Sequence, residues 1–136
     1  MSAGYAESIR NARLDVIRAA IDAGVGAGKI EIYSGSRPAT GAALSGNTLL
    51  CAGTFSEPCA PASASGVLTF DTITYAAVAA TGTATWARVK DSGDTFVLDW
   101  DVGVAGSGAD VILNSVSLVE DGLVTHVSAS ITGGNA

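Results

Sequence analysis

Residues that commonly carry out chemistry are scarce in this 136-residue chain, which contains one histidine, His126, and two cysteines, Cys51 and Cys59. General acid–base and nucleophilic catalysis need a base positioned beside a nucleophile or beside a second carboxylate. A lone histidine is far more often a surface or interface residue than a catalyst. We therefore predict no catalytic residues and no enzymatic activity. A small β-barrel enzyme with acids gathered in a pocket is the least favoured alternative.

Two other patterns could hold a nucleotide or an ion. Residues 24–29 (GVGAGK) have the glycine content of a phosphate-binding loop, but Ala23 and Ile30 stand where that motif needs a glycine and a hydroxyl residue. Five aspartates could collect a calcium ion, but their spacing matches no calcium-binding loop. These aspartates are Asp91, Asp94, Asp99, Asp101 and Asp110. We predict no metal site and no cofactor.

The two tryptophans could form a platform on which a sugar ring stacks. Trp100 alternates in phase with Phe96, so we predict that it lies in the core. Trp86 alternates in phase with Arg88, so we predict that it is exposed. An exposed tryptophan serves a protein contact as readily as a sugar. Trp86 and Arg88 are therefore candidate interface residues.

Composition limits the partners of the chain. Charged residues make up 15% of it and apolar residues 48%, whereas about 25% of a typical globular protein is charged. So few charges favour a subunit whose outside is partly covered by copies of itself or by another protein; the alternative is that abundant alanine inflates the apolar share. The net charge is −6 and the basic residues are dispersed, so we predict no binding to nucleic acid.

The chain has no features of a membrane or secreted protein. No apolar run reaches the 18 residues or so that a membrane span needs, and residues 1–15 lack the basic start and apolar run of a secretory signal. We expect the chain to be made and folded in a cytosol, with Cys51 and Cys59 reduced. Pairing of the two thiols after release from the cell is the alternative.

Residues 5–23 carry the helical pattern of the chain. At 100° per residue, one apolar stripe forms and the polar residues share the opposite side, so we predict an amphipathic helix with the stripe on the core. The stripe consists of Ile9, Ala12, Val16, Ala20 and Ala23, and Leu14, Ile17 and Ile21 widen it. Arg10 and Arg13 fall inside the apolar arc. They either lie along the edge of the core or reach carboxylates on a neighbouring subunit, so both are candidate interface residues.

The rest of the chain alternates with the period of β-strands. We predict strands at 29–33, 48–55, 67–75, 81–90, 95–102, 111–119 and 123–132, with hairpin turns at 91–94 and 120–122. Short strands after a single helix indicate a mainly β fold, an antiparallel β-sandwich or a jelly-roll-like barrel. A chain of this length forms one domain, with the helix at 5–23 and the sandwich at 29–132.

Four segments are distinctive together: IRNARLDVIRAAIDAGVGAGKIEIYSGSRPATG, GTFSEP, GVLTFDTIT and GTATWARVKDSGDTFVLDWDVG. With the strand pair that follows, they resemble small structural proteins encoded by tailed bacteriophages and prophages, over nearly the whole chain. The resemblance implies a virion component, and a capsid decoration or cement protein fits best. Such proteins bind the outside of an expanded shell, often as dimers or trimers.

The resemblance implies the major capsid protein or another virion protein as partner and a homo-oligomer. It also implies synthesis in the bacterial host cytoplasm and location in the virion. Residues 1–5, 133–136 or 56–66 would then become ordered against that partner. Three alternatives stay open: a tail, connector or fibre-associated protein, a carbohydrate-binding β-sandwich module, and the small enzyme considered above.

Overall fold

The computed structural model describes residues 4–133 of the chain. It has a mainly β fold with one N-terminal helix, α1 (Glu7–Ile21), as predicted. The ten strands are β1 (Lys29–Tyr33), β2 (Leu49–Thr54), β3 (Val67–Thr69), β4 (Thr74–Tyr75), β5 (Gly82–Thr83), β6 (Trp86–Lys90), β7 (Phe96–Gly103), β8 (Val111–Leu113), β9 (Ser117–Leu118) and β10 (His126–Thr132). The described part of the chain has no helix long and apolar enough to cross a lipid bilayer. Of the chain ends predicted to order on a partner, residues 1–3 and 134–136 lie outside the described residues.

Eight strands form one curled sheet in the order β3-β10-β8-β7-β6-β1-β2-β4, and β5 pairs with β9 in a separate two-stranded sheet. The pairs in both sheets are antiparallel except β7–β8, which is parallel. A parallel pair usually needs a long crossover. Here the short 104–110 loop suffices because β8 pairs with β7 only at the end of β7, through Val102 and Gly103.

Three of the predicted strands are each broken in two, at 70–73, 84–85 and 114–116. The last two breaks occur where the chain leaves the large sheet for the β5–β9 pair. The hairpin at 91–94 is confirmed, since β6 and β7 flank it and pair. The turn at 120–122 forms, with the Gly122 N–H donating to Val119 O at 2.8 Å. The predicted strands on its two sides pair antiparallel as expected, through β8 and β10. The part directly before the turn, β9, pairs with β5 instead.

The core inside the curled sheet is built around an aromatic cluster. Phe70 meets Trp100 edge to face, with ring centroids 5.0 Å apart, and Phe55 lies 5.5 Å from Phe70. All three side chains are buried, so the prediction that Trp100 belongs to the core is confirmed. Aromatic pairs in this geometry add to the stabilisation that burial of apolar area provides.

Helix α1 begins at Glu7 and ends at Ile21, inside the predicted range, and Gly24 follows it at φ +94°. The prediction for its buried face is right for two residues that widen the stripe and wrong for the residues at its centre. Leu14 and Ile21 are buried, whereas Ile9 is 49% and Val16 68% exposed. The helix is therefore turned so that most of the apolar stripe points away from the core.

The physical reason is a row of hydrogen bonds between the predicted polar side of α1 and the 56–66 loop. Asp22 accepts from the N–H of Cys59 at 2.9 Å, and Asp15 accepts from the N–H of Ser63 at 3.0 Å. Asn11 accepts from the N–H of Gly66 at 2.9 Å. Backbone N–H groups that are taken out of water need hydrogen-bond acceptors, and these side chains supply them. The polar side of the helix consequently contacts the 56–66 loop, and the stripe opposite it faces outward.

Candidate assembly surfaces

Two of the four predicted interface residues are buried, and the prediction that Trp86 is exposed is wrong. Trp86 is 1% exposed and stacks on Tyr33, with ring centroids 4.8 Å apart. The reason is the 34–48 loop, which crosses the outer side of the sheet. Thr85 Oγ1 donates to Gly35 O at 2.6 Å, which ties the loop down beside Trp86. A sugar cannot stack on a tryptophan covered in this way.

Arg88 is buried by the same loop and forms an ion pair with Asp99. Its Nε lies 2.8 Å from Asp99 Oδ1 and its Nη2 lies 3.1 Å from Oδ2. The loop joins the pair, because Arg88 Nη2 donates to Ala42 O at 2.8 Å and the N–H of Gly41 donates to Asp99 Oδ2 at 3.0 Å. The hydrogen bonds to Asp99 raise the pKa of Arg88. Arg88 thus holds the loop and is not available to a partner.

The other aspartates that the sequence analysis considered as calcium ligands are mostly bound within the subunit. Asp94 pairs with Lys29 at 2.9 Å, and Asp101 pairs with Arg37 at 3.0 Å. Asp91 accepts hydrogen bonds within its own turn. Burial raises the pKa of Asp110, with a contribution from the charge of Asp101. Between residues 4 and 133 no three His, Cys, Asp or Glu side chains gather closely enough to hold a metal ion.

The single histidine and the two cysteines are held inside the fold. Tyr75 Oη and His126 Nδ1 are 3.1 Å apart, and Cys51 Sγ donates to Ala76 O at 3.1 Å. Both cysteines are free and fully buried. Burial raises the pKa of the Cys51 thiol, and burial together with the charge of Asp22 raises the pKa of Cys59 to about 12. A thiol with a raised pKa is a poor nucleophile at neutral pH.

His126 makes stability depend on pH. Burial lowers its pKa below the usual 6.5, so in mildly acidic solution the unfolded chain takes up a proton more readily than the folded one. The contribution of His126 to stability is complete above pH 6.5 or so and is lost as the pH falls through and below that value. We expect the thermal midpoint to fall between pH 8 and pH 5, and to fall less in a His126→Gln variant. Equal falls in the two proteins, followed by circular dichroism, would contradict this.

The basic residues divide into two groups. Five of the seven Lys and Arg side chains form ion pairs, and Arg10 and Arg13 form none with any described residue. Arg13 is exposed, with its guanidinium 4.9 Å from the centre of the Tyr5 ring. Arg10 is half-buried against Gly66, and its Nε has no hydrogen-bond partner. The two unpaired cations therefore lie on one helix, where the sequence predicted interface residues.

No family model, curated protein or solved structure matches this chain.

The first candidate assembly surface is the outer face of α1, by which we mean the exposed residues Ile9, Ala12, Arg13, Val16 and Ala19. At 100° per residue they lie opposite the buried Leu14 and Ile21. This face is apolar apart from Arg13. Sequence reasoning found the stripe but placed it on the core. One feature of the sequence could have indicated the true orientation of α1. The backbone N–H groups of the 56–66 loop need hydrogen-bond acceptors, and the polar side of the helix carries them.

The second candidate assembly surface is the 119–123 turn, which sequence reasoning took for a simple hairpin. Val119 is 64% and Leu123 83% exposed, and both line a pocket of about 250 Å³ together with the buried Val78 and Leu118. The turn also carries Glu120 and Asp121, which are exposed and form no ion pair with a described residue. The turn thus combines an apolar depression with two free carboxylates.

Proposed function

We propose that the protein is a structural subunit of a tailed-bacteriophage virion, and that it decorates and cements the capsid shell. The resemblance of its segments to small phage structural proteins supports this role. The observation that carries it is the outer face of α1, where Ile9 and Val16 face solvent although the helix has a core to pack on. A helix that keeps its apolar stripe outside is suited to being covered by a protein neighbour.

The energy that a partner could gain by covering the outer face of α1 is consistent with a cementing role. Full burial of a side chain such as Ile or Val stabilises by about 1.5–3 kcal/mol, and the partly exposed Ile9 and Val16 retain only part of that gain for a partner. One such contact is weak. Many identical contacts made around a shell act together, and contacts available only in the expanded shell stabilise that state by mass action. The subunit needs no reacting group for this role.

The alternative functions differ in how well the exposed surfaces support them. A tail, connector or fibre-associated protein would use the same exposed faces, and the position of the subunit in the particle distinguishes these roles from decoration. The carbohydrate-binding alternative depended on an exposed Trp86, and the burial of Trp86 removes its support.

The test is made on particles of the phage or prophage that encodes the chain, purified from a lysate. We expect mass spectrometry to find the chain in many copies per particle and electron cryo-microscopy to place it on the outer shell. Density in the tail or connector would favour the alternative virion roles. Purified particles that lack the chain would contradict the proposal.

A variant of the outer face of α1 sharpens the same test. Val16→Asp places a charge on the apolar stripe at an exposed position, so we expect it to fold and to be lost from particles because the covered contact would bury an unpaired charge. Leu44→Asp is the matched control, since Leu44 is 44% exposed and lies in the 34–48 loop, away from α1. Equal occupancy by the two variants would show that the outer face of α1 is not the interface.

A further inference from the structure

We propose that copies of this subunit associate head to tail, with the outer face of α1 of one copy against the 119–123 turn of the next. The inference rests on the proposed function, because it names what covers the outer face of α1 in the assembly. Three features of the two surfaces support it: their apolar parts are complementary in form, their charges are opposite, and they lie at different places in the fold.

The apolar parts of the two surfaces are complementary in form. Ile9 and Val16 project from a helix whose neighbouring positions are the small residues Ala12 and Ala19, so they form a ridge. The 119–123 turn offers a depression of about 250 Å³ bordered by the exposed Val119 and Leu123. Large exposed apolar side chains lie on both surfaces, and pairing the ridge with the depression removes them from water together.

The charges are complementary as well. Arg10 and Arg13 are the Lys and Arg side chains without an ion pair in the described chain, and both lie on one flank of the outer face of α1. Glu120 and Asp121 carry unpaired carboxylates on the 119–123 turn. Opposite charges across an interface fix its register and exclude partners of the wrong sign. The unpaired cations thus meet unpaired anions within one contact.

A two-fold contact between two α1 helices fits less well. In a two-fold pair the same surface patch meets itself, and antiparallel helices would bring the flank bearing Arg10 and Arg13 against its own copy. Like charges placed opposite each other destabilise a contact. The charges therefore favour two different surfaces over one surface used twice.

The fold places the two surfaces at opposite ends of β10. The 119–123 turn lies shortly before His126, where β10 begins. Gly133, just after β10 ends, packs against Arg10 and Leu14 of α1. A subunit with complementary surfaces at its two ends joins copies into a ring or an open chain rather than a closed dimer. Such an array links neighbouring positions on a shell.

The test uses two variants of the purified full chain, each altered at an exposed position. Val16→Asp removes the ridge and keeps the turn, and Leu123→Asp does the reverse. We expect the wild-type protein to show a mass that rises with concentration in sedimentation velocity, and each variant to remain at the mass of one chain, 13.5 kDa. An equimolar mixture of the two variants retains one intact ridge and one intact turn, so we expect a species of twice that mass.

Leu44→Asp is the control and should associate like the wild type. A wild-type protein that stays monomeric would overturn the inference, as would variants that fail to pair when mixed. If Leu123→Asp associates like the wild type, the turn is not part of the contact and the inference is wrong. These measurements are made on purified protein without particles. A negative result would therefore overturn the head-to-tail contact alone, whereas absence of the chain from virions would contradict the proposed function.

Discussion

Replacing Asp99 with alanine is expected to lower the free energy of unfolding by about 3–5 kcal/mol, since removing one partner of a buried ion pair leaves the other charge buried without compensation. The Asp99 side chain is 1% exposed and receives two hydrogen bonds from Arg88. It also accepts the N–H of Gly41, so the variant loses the attachment of the 34–48 loop. Urea unfolding followed by tryptophan fluorescence measures the change.

Asp101→Ala is the matched control for this prediction. Asp101 lies on the same strand, β7, and its replacement makes the same change of charge, but its ion pair with Arg37 is exposed. Exposed ion pairs contribute about 1 kcal/mol or less. We therefore expect Asp101→Ala to unfold close to the wild-type urea midpoint. Similar midpoints for the Asp99 and Asp101 variants would contradict the role given to the Arg88–Asp99 pair.

A double replacement separates the charge from the packing. Arg88→Met with Asp99→Leu removes both charges and keeps side-chain volume, and such replacements of a buried pair are often neutral or stabilising. We expect the double variant to be more stable than Asp99→Ala. A double variant that is no better would mean that the hydrogen bonds to Gly41 and Ala42, rather than the unpaired charge, account for the loss.

Local patterns in the sequence predicted most of the elements. The helical period located α1 to within two residues at each end, and alternation located β1 at its observed bounds. The turn at 91–94 was predictable because its chemistry is local: the Asp91 side chain accepts the N–H groups of Gly93 and Thr95. Such features need no information from distant parts of the chain.

The orientation of side chains on two strands was not predictable, because bulges shift it. In β7 the pairing shifts between Lys90–Phe96 and Val89–Leu98, which turns Phe96 to the outer side, with its ring centre 5.3 Å from the Arg88 guanidinium. In β10 a shift beside Val127 leaves that residue 57% exposed. One extra residue in a strand reverses the faces that alternation predicts. Nothing in the local sequence marks these bulges.

The candidate site was predicted in part. Arg10 and Arg13 could be singled out because they interrupt an apolar arc that is visible in the sequence. Neither forms an ion pair with a described residue, and their place in an interface stays a prediction. The burial of Trp86 and Arg88 was missed, since it depends on the 34–48 loop crossing the sheet and binding both Arg88 and Asp99. The orientation of α1 was also missed because it depends on a distant segment of the chain. It is set by the distant 56–66 loop rather than by the helix itself.

We propose that the outer face of α1 is exposed in the free subunit and covered in the virion, and a single reactive cysteine on that face tests this proposal. Val16→Cys introduces a thiol at an exposed position, and the native Cys51 and Cys59 do not compete because both are fully buried. A maleimide dye should therefore label the new thiol selectively in dilute protein.

The decisive comparison is the rate of maleimide labelling at Val16→Cys in the dilute free subunit and in intact particles, with Leu44→Cys as the control position. We expect labelling at position 16 to slow by about tenfold or more in the particle, since a covered site reacts only when it opens. Labelling at position 44 should change little. Equal rates at position 16 in the free and assembled subunit would show that the exposed apolar face of α1 is not used for assembly.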